Sequence, residues 1–331
     1  MNTRQSYAGA FVQALADAMS ADPTVSLIGS APLGLGPERG LTDSLRKSFA
    51  DRIIDPPTAE AGVAAVGVGA AMAGVRPFVD LLTGSFMYLS WMQIVNEAAN
   101  GYFMSGGKIT VPVTFHCLEG VRGAGAPQHS HSAHAMLWNA PGVQIVLPST
   151  AADVYGLVRT VLANPNPTVI FSHAQLLGRE WDMPKDPAPI PLGKAEVKRN
   201  GRDVTIVATS LMVHRALEAA AILSAQAIDV EVVDPRTLVP FDEETIMRSV
   251  RKTGRLVVVD EAPLRAGVAS EIAATVAEKS FQYLRAAPVR LARKDSPVPF
   301  SPSLEAEIVP TAASIVNAVR DLVGACQSVE V

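Results

Sequence analysis

Apolar and polar positions along this chain alternate between two spacings, one close to 3.6 residues and one of short unbroken runs. Phe11 to Met19 repeats at the helical period, and Val25-Ser-Leu-Ile-Gly29 follows as a buried-strand run closed by a glycine. Leu41 to Phe49 returns to the helical period with Thr42 as its N-cap. Pro77-Phe-Val-Asp-Leu-Leu82, Val111-Pro-Val-Thr-Phe115 and Val143-Gln-Ile-Val146 read as further strands, each followed by polar or Gly-rich residues. Between Trp181 and Leu192 the prolines exclude helix and central strand and favour a stiff extended connector. The alternation then restarts with strands Val204–Val207, Val230–Val233 and Leu256–Val259. Helices His214–Leu223, Glu243–Val250 and Ala269–Lys279 are interleaved with them. The pattern predicts an α/β fold of parallel or mixed sheets covered by helices. Two domains are expected, 1–180 and 196–331, joined by a Pro-rich linker at 181–195.

Composition narrows the class. With 48% hydrophobic and 18% charged residues over 331 positions, the chain is globular rather than disordered. A net charge of −4 without a basic run gives nucleic acid no electrostatic footprint. The two cysteines, Cys117 and Cys326, are far apart and suit a reducing compartment. Met1-Asn-Thr-Arg-Gln-Ser6 leads into an amphipathic segment without a signal-peptide core. The uncharged run Ala61 to Val75 is shorter than the ~20 residues of a membrane helix. A cytoplasmic protein without membrane contact is expected.

Three segments offer chemistry. In Asp55-Pro-Pro-Thr-Ala-Glu60-Ala-Gly, the prolines fix the approach, Thr58 is positioned to cap, and Glu60 falls in the first turn of a small-residue helix. The plain reading is a capping-turn acid; the functional one is a carboxylate aimed into a cleft at the carboxyl end of a strand. Gly67-Val-Gly69-Ala-Ala-Met72 lacks the third glycine and the preceding strand of a dinucleotide site, so its glycines suit close helix packing instead. Gly123-Ala-Gly-Ala-Pro-Gln128-His129-Ser130-His131-Ser-Ala-His134 carries three histidines that do not share one helical face and have no nearby Cys or paired acid. A single acid–base histidine in a loop fits better than a metal site. No Gly-x-Ser-x-Gly elbow, P-loop or Gly-Asp-Gly segment with paired asparagines is present.

With those residues in view, the chain resembles the beta subunit of the thiamine-diphosphate-dependent 2-oxoacid dehydrogenases, in the transketolase-like superfamily. Arg52-Ile-Ile-Asp-Pro-Pro-Thr-Ala-Glu60, Gly67 to Pro77, Met104-Ser-Gly-Gly107, Gln128-His-Ser130, Pro141-Gly142 and Pro148-Ser-Thr150 carry the likeness in the first half. Asp203-Val-Thr-Ile-Val, Met212 to Glu218 and Lys252 to Val259 carry it in the second. Val259-Asp-Glu-Ala-Pro263 and Ser296 to Ser301 lean toward acetoin dehydrogenase. The resemblance implies a pyrimidine-binding domain followed by a transketolase C-terminal-like domain. It implies Glu60 as the catalytic acid on the cofactor's aminopyrimidine and His129 as a second catalytic residue assisting proton transfer. Phe86 and Gln128 are implied as cofactor contacts, and Val113, Val161, Asn164 and Asn166 as backbone ligands of a potassium ion. The diphosphate and its Mg2+ are expected on an alpha subunit in a two-alpha two-beta heterotetramer, with a lipoyl acyltransferase as acceptor. The activity implied is an oxidoreductase that decarboxylates or cleaves a 2-oxo acid or acyloin. A split transketolase-like carboligase or lyase without a lipoyl partner and a non-catalytic scaffold subunit are the alternatives. The chain departs from the family at Ser30-Ala31, where a glutamate is usual, and at Gly84, where an aromatic is usual. Its His131, His134 and Trp138 are also unusual.

Overall fold

The computed structural model describes residues 2–29 and 42–327 and divides into two compact units. Ser30 and Ala31, and the side chain of Cys326, lie outside the described residues.

The first unit runs β1 (Asn2–Ser6), α1 (Tyr7–Ala21), β2 (Val25–Ile28), α2 (Asp43–Phe49), β3 (Ile53–Ile54), α3 (Glu60–Met72) and β4 (Arg76–Thr83). It continues through α4 (Ala99–Met104), β5 (Thr114–Glu119), α5 (His134–Trp138), β6 (Gln144–Val146), α6 (Ala151–Ala163), β7 (Thr168–His173) and β8 (Glu180–Pro184). Capping sets the long helices. The Ser6 hydroxyl accepts from Gly9 N at 3.0 Å, and that of Thr150 from Asp153 N at 3.1 Å. Thr42 stands at the start of α2 but makes no side-chain cap bond.

The second unit runs β9 (Glu196–Arg199), β10 (Val204–Ala208), α7 (Leu211–Ser224), β11 (Val230–Asp234), α8 (Glu243–Thr253) and β13 (Leu256–Pro263), with β12 (Thr237–Val239), between β11 and α8, pairing into the sheet of the first unit. It ends with α9 (Val268–Ser280), β14 (Val289–Arg293), α10 (Pro302–Ile308) and α11 (Ala312–Gln327). Its five-stranded sheet has the order β14-β13-β10-β11-β9, parallel except for β9. In α8 every signal agrees: Asp242 caps Thr245 N at 3.1 Å, acids fill the first turn, Arg251 and Lys252 the last, and Gly254 closes it at φ +70°.

The first unit is built on a seven-stranded sheet of order β12-β6-β7-β5-β4-β2-β3, in which the pairings from β6 to β3 are parallel. The strand expected at 111–115 begins later and runs to Glu119, because Pro112 has no N–H and Val113 N turns back to Val111 O at 2.8 Å. His116 and Glu119 are tolerated inside this buried strand because each faces a partner, Asp80 and His134. β7 has no counterpart among the strands expected from the pattern; lying between β5 and β6, it is buried throughout.

The Pro-rich stretch is extended, but its first residues are a strand: β8 pairs antiparallel with β1. The first unit extends through Leu192 and takes back Leu238–Pro240, so its boundary is interleaved rather than a single linker. No helix among the described residues is long and apolar enough to cross a membrane.

The glycines of α3 divide their work. A Cβ on Gly67 would stand 2.4 Å from Val79 Cγ2, so this glycine lets α3 press onto β4, whereas Gly69 meets nothing within 4 Å. Gly67→Ala is expected to cost about 1–3 kcal/mol in chemical denaturation. Gly69→Ala is expected to be neutral or stabilising by up to ~1 kcal/mol through helix propensity. Equal effects at the two sites would contradict this packing.

Candidate active site

Three segments converge at the carboxyl edge of the first sheet: Gly29 after β2, the end of β4, and Pro56–Glu60 leading into α3. They line a shallow, open pocket. β2 pairs with β3 on one side and β4 on the other, so the chain reverses its order across the sheet there, the position where open α/β sheets place ligands.

Each wall has a local cause. Glu60 is the first residue of α3, half-buried and lining the pocket. The N-cap is Ala59 rather than Thr58, so no side chain caps the first turn, and the helix start keeps its partial positive charge beside the carboxylate. Gly29 has φ +141°, and a Cβ there would stand 2.9 Å from both Cβ and O of Asp80, so only glycine fits. The β4–β5 register breaks between Asp80 and Thr83, and Leu82 takes φ +64°. A bulged, left-handed leucine on a pocket wall is the kind of strain found at functional sites.

Behind the wall lies a file of buried polar groups that the sequence reading missed. Asp80 Oδ1 is 2.9 Å from His116 Nδ1, His116 Nε2 is 3.1 Å from Ser172 Oγ, and the Tyr7 hydroxyl is 3.1 Å from the same Ser172 oxygen. Register places Asp80 opposite His116 on neighbouring strands, and the imidazole clusters with Phe11 and Phe78 at 4.8 and 5.8 Å between centroids, the two phenyl rings meeting edge-on at 5.7 Å. Burial pushes the Asp80 carboxyl above its ordinary range, opposed by the hydrogen bond from His116. Its Oδ2 is buried without a partner among the described residues. The only sequence signal was an aspartate inside an apolar strand, Phe-Val-Asp-Leu-Leu.

The other expected site residues form a second group. Phe86 opens a short turn, Phe86–Ser90, and meets the His129 ring edge-on at 5.5 Å between centroids. His129 ends the turn Pro127–His129, half-buried, with Nδ1 unpartnered among the described residues. Gln128 points its exposed side chain away from the protein's interior, while its carbonyl accepts the Ser85 hydroxyl. The structure thus joins Phe86 to His129 and Glu60 to Asp80 and Leu82. The walls of the Glu60 pocket do not include Phe86, Gln128 or His129.

Gly84 explains itself here. A Cβ at this position would stand 3.0 Å from the His131 carbonyl and 3.3 Å from Ala133 Cβ, so the histidine loop occupies the space an aromatic would need. The remaining histidines take separate partners: His131 Nδ1 lies 3.3 Å from the Tyr88 hydroxyl and His134 Nδ1 2.6 Å from Glu119 Oε2. Among the described residues no three His, Cys, Asp or Glu side chains converge as a metal site. In the same loop, Arg122 buries Nε and Nη2 without a partner among those residues, and burial lowers its pKa. The potassium positions are gathered, since Thr168 N–H donates to the Val113 carbonyl at 3.0 Å and its hydroxyl to that of Asn166 at 3.3 Å. Yet Asn164 N–H already occupies the Val161 carbonyl, and the Arg76 guanidinium lies 3.0 Å from that of Asn164 and 3.2 Å from that of Leu162. A resident guanidinium opposes a second cation, so these residues do not fit the ion.

Comparison with known proteins agrees with this architecture. Residues 3–180 match the model of the transketolase pyrimidine binding domain, and residues 193–315 that of the transketolase C-terminal domain. The chain belongs to the transketolase-like family. This transketolase-like chain is 39% identical over 318 residues to an acetoin:2,6-dichlorophenolindophenol oxidoreductase subunit beta from Cupriavidus necator, covering 93% of the chain and 94% of the relative. It is also 39% identical over 309 residues to a pyruvate dehydrogenase E1 component subunit beta from Rhizobium meliloti, covering 93% and 67%. A solved split-gene transketolase, described as an inactive beta4 tetramer, shares the fold with a TM-score of 0.80 at 24% identity, covering 97% of this chain and 98% of that one.

Within this transketolase-like unit the Asp80–His116 pair yields a pH-dependent prediction. His116 lowers the Asp80 pKa, so His116→Phe should raise it further above the ordinary carboxylate value. The variant's penalty is then smallest below about pH 3.8, where the acid is protonated folded or unfolded. It grows as pH rises through the folded pKa of Asp80, toward about 1–3 kcal/mol for an unpaired buried group. Urea unfolding from pH 4 to 8 tests this; a pH-independent penalty would refute it.

Proposed function

We propose that this chain is the beta subunit of a thiamine-diphosphate-dependent α/β enzyme that decarboxylates or cleaves a 2-oxo acid or acyloin and passes the acyl group to lipoamide. One observation carries the reading: a carboxylate, Glu60, at the uncapped head of α3 in a pocket at the sheet's switch point. The pocket suits an aminopyrimidine. Pro56, Pro57, Val63 and Leu82 offer apolar surface for a flat ring, and Glu60 offers a polar group for its edge. When bound, thiamine diphosphate supplies the carbon nucleophile and the electron sink that these side chains lack. Glu60 would hold a proton shared with a ring nitrogen, and Leu82 would offer the ring apolar surface. Phe86 and His129, already packed together, form a separate wall in which the imidazole is a proton donor or acceptor for the substrate.

The diphosphate requires a metal and dedicated oxygen ligands. None converge among the described residues, so Mg2+ belongs to the alpha subunit in this reading. An apolar surface supports such a partner: Val66 and Met72 on α3, Leu89, Met92, and Tyr102 to Met104 are exposed, with Phe103 at 86%. The relatives' names support a beta subunit of either an acetoin- or a pyruvate-directed enzyme. Potassium is not part of the proposal, and the cytoplasm is the proposed compartment.

The test is a complex reconstituted with its alpha chain. Glu60→Gln is expected to lower turnover about 10²–10⁴-fold while the complex still assembles by size-exclusion chromatography. Unchanged turnover would leave a scaffold subunit as the better reading. A lipoyl domain separates the acceptors: reductive acylation is expected, and aldehyde or acyloin release without lipoyl turnover would indicate a carboligase.

A further inference from the structure

We infer that Arg122, in the loop between β5 and His129, is a specificity-determining residue whose guanidinium takes the carboxylate of a 2-oxo acid substrate and favours it over a neutral acyloin. The inference rests on the thiamine diphosphate reading above and chooses between the two substrate classes that reading leaves open.

Arg122 is half-buried, and its Nε and Nη2 are enclosed without a partner among the described residues. Nη1 is neither enclosed nor bonded, so the guanidinium keeps one edge that an anion can reach. A charge held partly out of water without a counter-ion is costly, and folded proteins pair such groups. No described carboxylate does so here. Burial alone acts on the Arg122 pKa, downward, with no acid raising it. Glu119, the acid nearest in the chain, faces His134 Nδ1 at 2.6 Å.

Placement supports the role. β5 and β4 are parallel neighbours, so Arg122, three residues past the end of β5, stands at the sheet edge where β4 ends and leads into the Phe86 turn. The root of its loop is pinned: Gln175 Nε2 donates to the carbonyl of buried Val121 at 2.7 Å. Gly120 takes φ +83°, and a Cβ there would stand 2.1 Å from His173 Nε2, so only glycine lets the chain leave β5 this way. The far end is fixed as well, by the Ser85 hydroxyl on the Gln128 carbonyl and by Phe86 on the His129 ring. Between them Ala124 and Ala126 hold left-handed backbone at φ +62° and +55°, strain of the kind kept at functional sites. One ordered loop thus carries an uncompensated cation at its start and, at its end, an imidazole whose Nδ1 has no partner among the described residues. A 2-oxo acid carries a carboxylate next to its reacting carbonyl, whereas acetoin is neutral and leaves the guanidinium unpaired. An arginine–carboxylate hydrogen bond is charge-assisted, and partial burial strengthens it.

Steady-state kinetics of the complex reconstituted with its alpha chain, with pyruvate and 2-oxobutyrate set against acetoin, test the assignment. The wild type is expected to favour the 2-oxo acids in kcat/KM, and a preference for acetoin overturns the inference. Arg122→Met keeps the aliphatic stem and removes the charge. Its KM for the 2-oxo acids is expected to rise about 10–100-fold, with kcat changed far less. The KM for acetoin, or its inhibition constant against pyruvate if it is not consumed, is expected to change much less. Arg122→Lys, with a charge but no planar fork, should fall between wild type and Arg122→Met. An unchanged KM, or an equal rise for acids and acetoin, overturns the inference. So does a fall in thiamine diphosphate affinity by titration calorimetry with the substrate preference intact, which would assign the guanidinium to the diphosphate. Should Arg122→Met not assemble, Arg122→Lys carries the test, and a wild-type KM for the 2-oxo acids in that variant overturns the inference. Failure of the wild-type complex to turn over either substrate class overturns the reading beneath it.

Discussion

Burying an aspartate in an inner strand of a parallel sheet is costly unless neighbouring strands bring it a donor, and here they do so in sequence. β4 carries Asp80, β5 places His116 opposite it, β7 adds Ser172, and the first turn of α1 closes the file with Tyr7. A one-residue slip in any of these pairings would turn the polar side chain to the wrong face of the sheet. The file therefore ties strand register, the seating of α1 and the orientation of a pocket wall to one set of hydrogen bonds. Gly29 belongs to the same constraint, because its missing Cβ is what lets β2 lie against Asp80.

A second dependence links the histidine-rich loop to the end of β4. With no side chain at Gly84, the loop comes down onto the strand end, where Ser85 binds the Gln128 carbonyl and Phe86 meets His129. His134 is then buried against Glu119, which lets an acid occupy the last position of β5. Gly84 and the histidine loop are thus coupled by packing. An aromatic side chain at 84 would compete for space the loop backbone already fills.

The family relation gives these features their setting. Relatives sharing 39% identity over nearly the whole chain include subunits of acetoin- and pyruvate-directed enzymes, so the scaffold is common to more than one substrate. Buried polar chemistry accompanies that scaffold here: Asp80 with His116, Glu119 with His134, and donors of Arg122 without a partner among the described residues.

The sequence by itself determined the alternation of elements, the restart after the Pro-rich stretch, and Glu60 at the head of a small-residue helix. These are local properties: apolar spacing, prolines without N–H groups and an acid in a first turn read the same in any tertiary context. It did not reveal β7 or the continuation of β5 through His116 and Glu119, because polar residues inside a strand look like its end until their partners are known. It placed the cap at Thr58 rather than Ala59 and the linker as one piece, since helix starts and strand exchange between units depend on distant packing. Only the tertiary structure decided that Asp80, His116, Ser172 and Tyr7 meet in one buried file beside the Glu60 pocket. That fact lies in pairings between residues 36, 56 and 165 positions apart, and no local pattern encodes it.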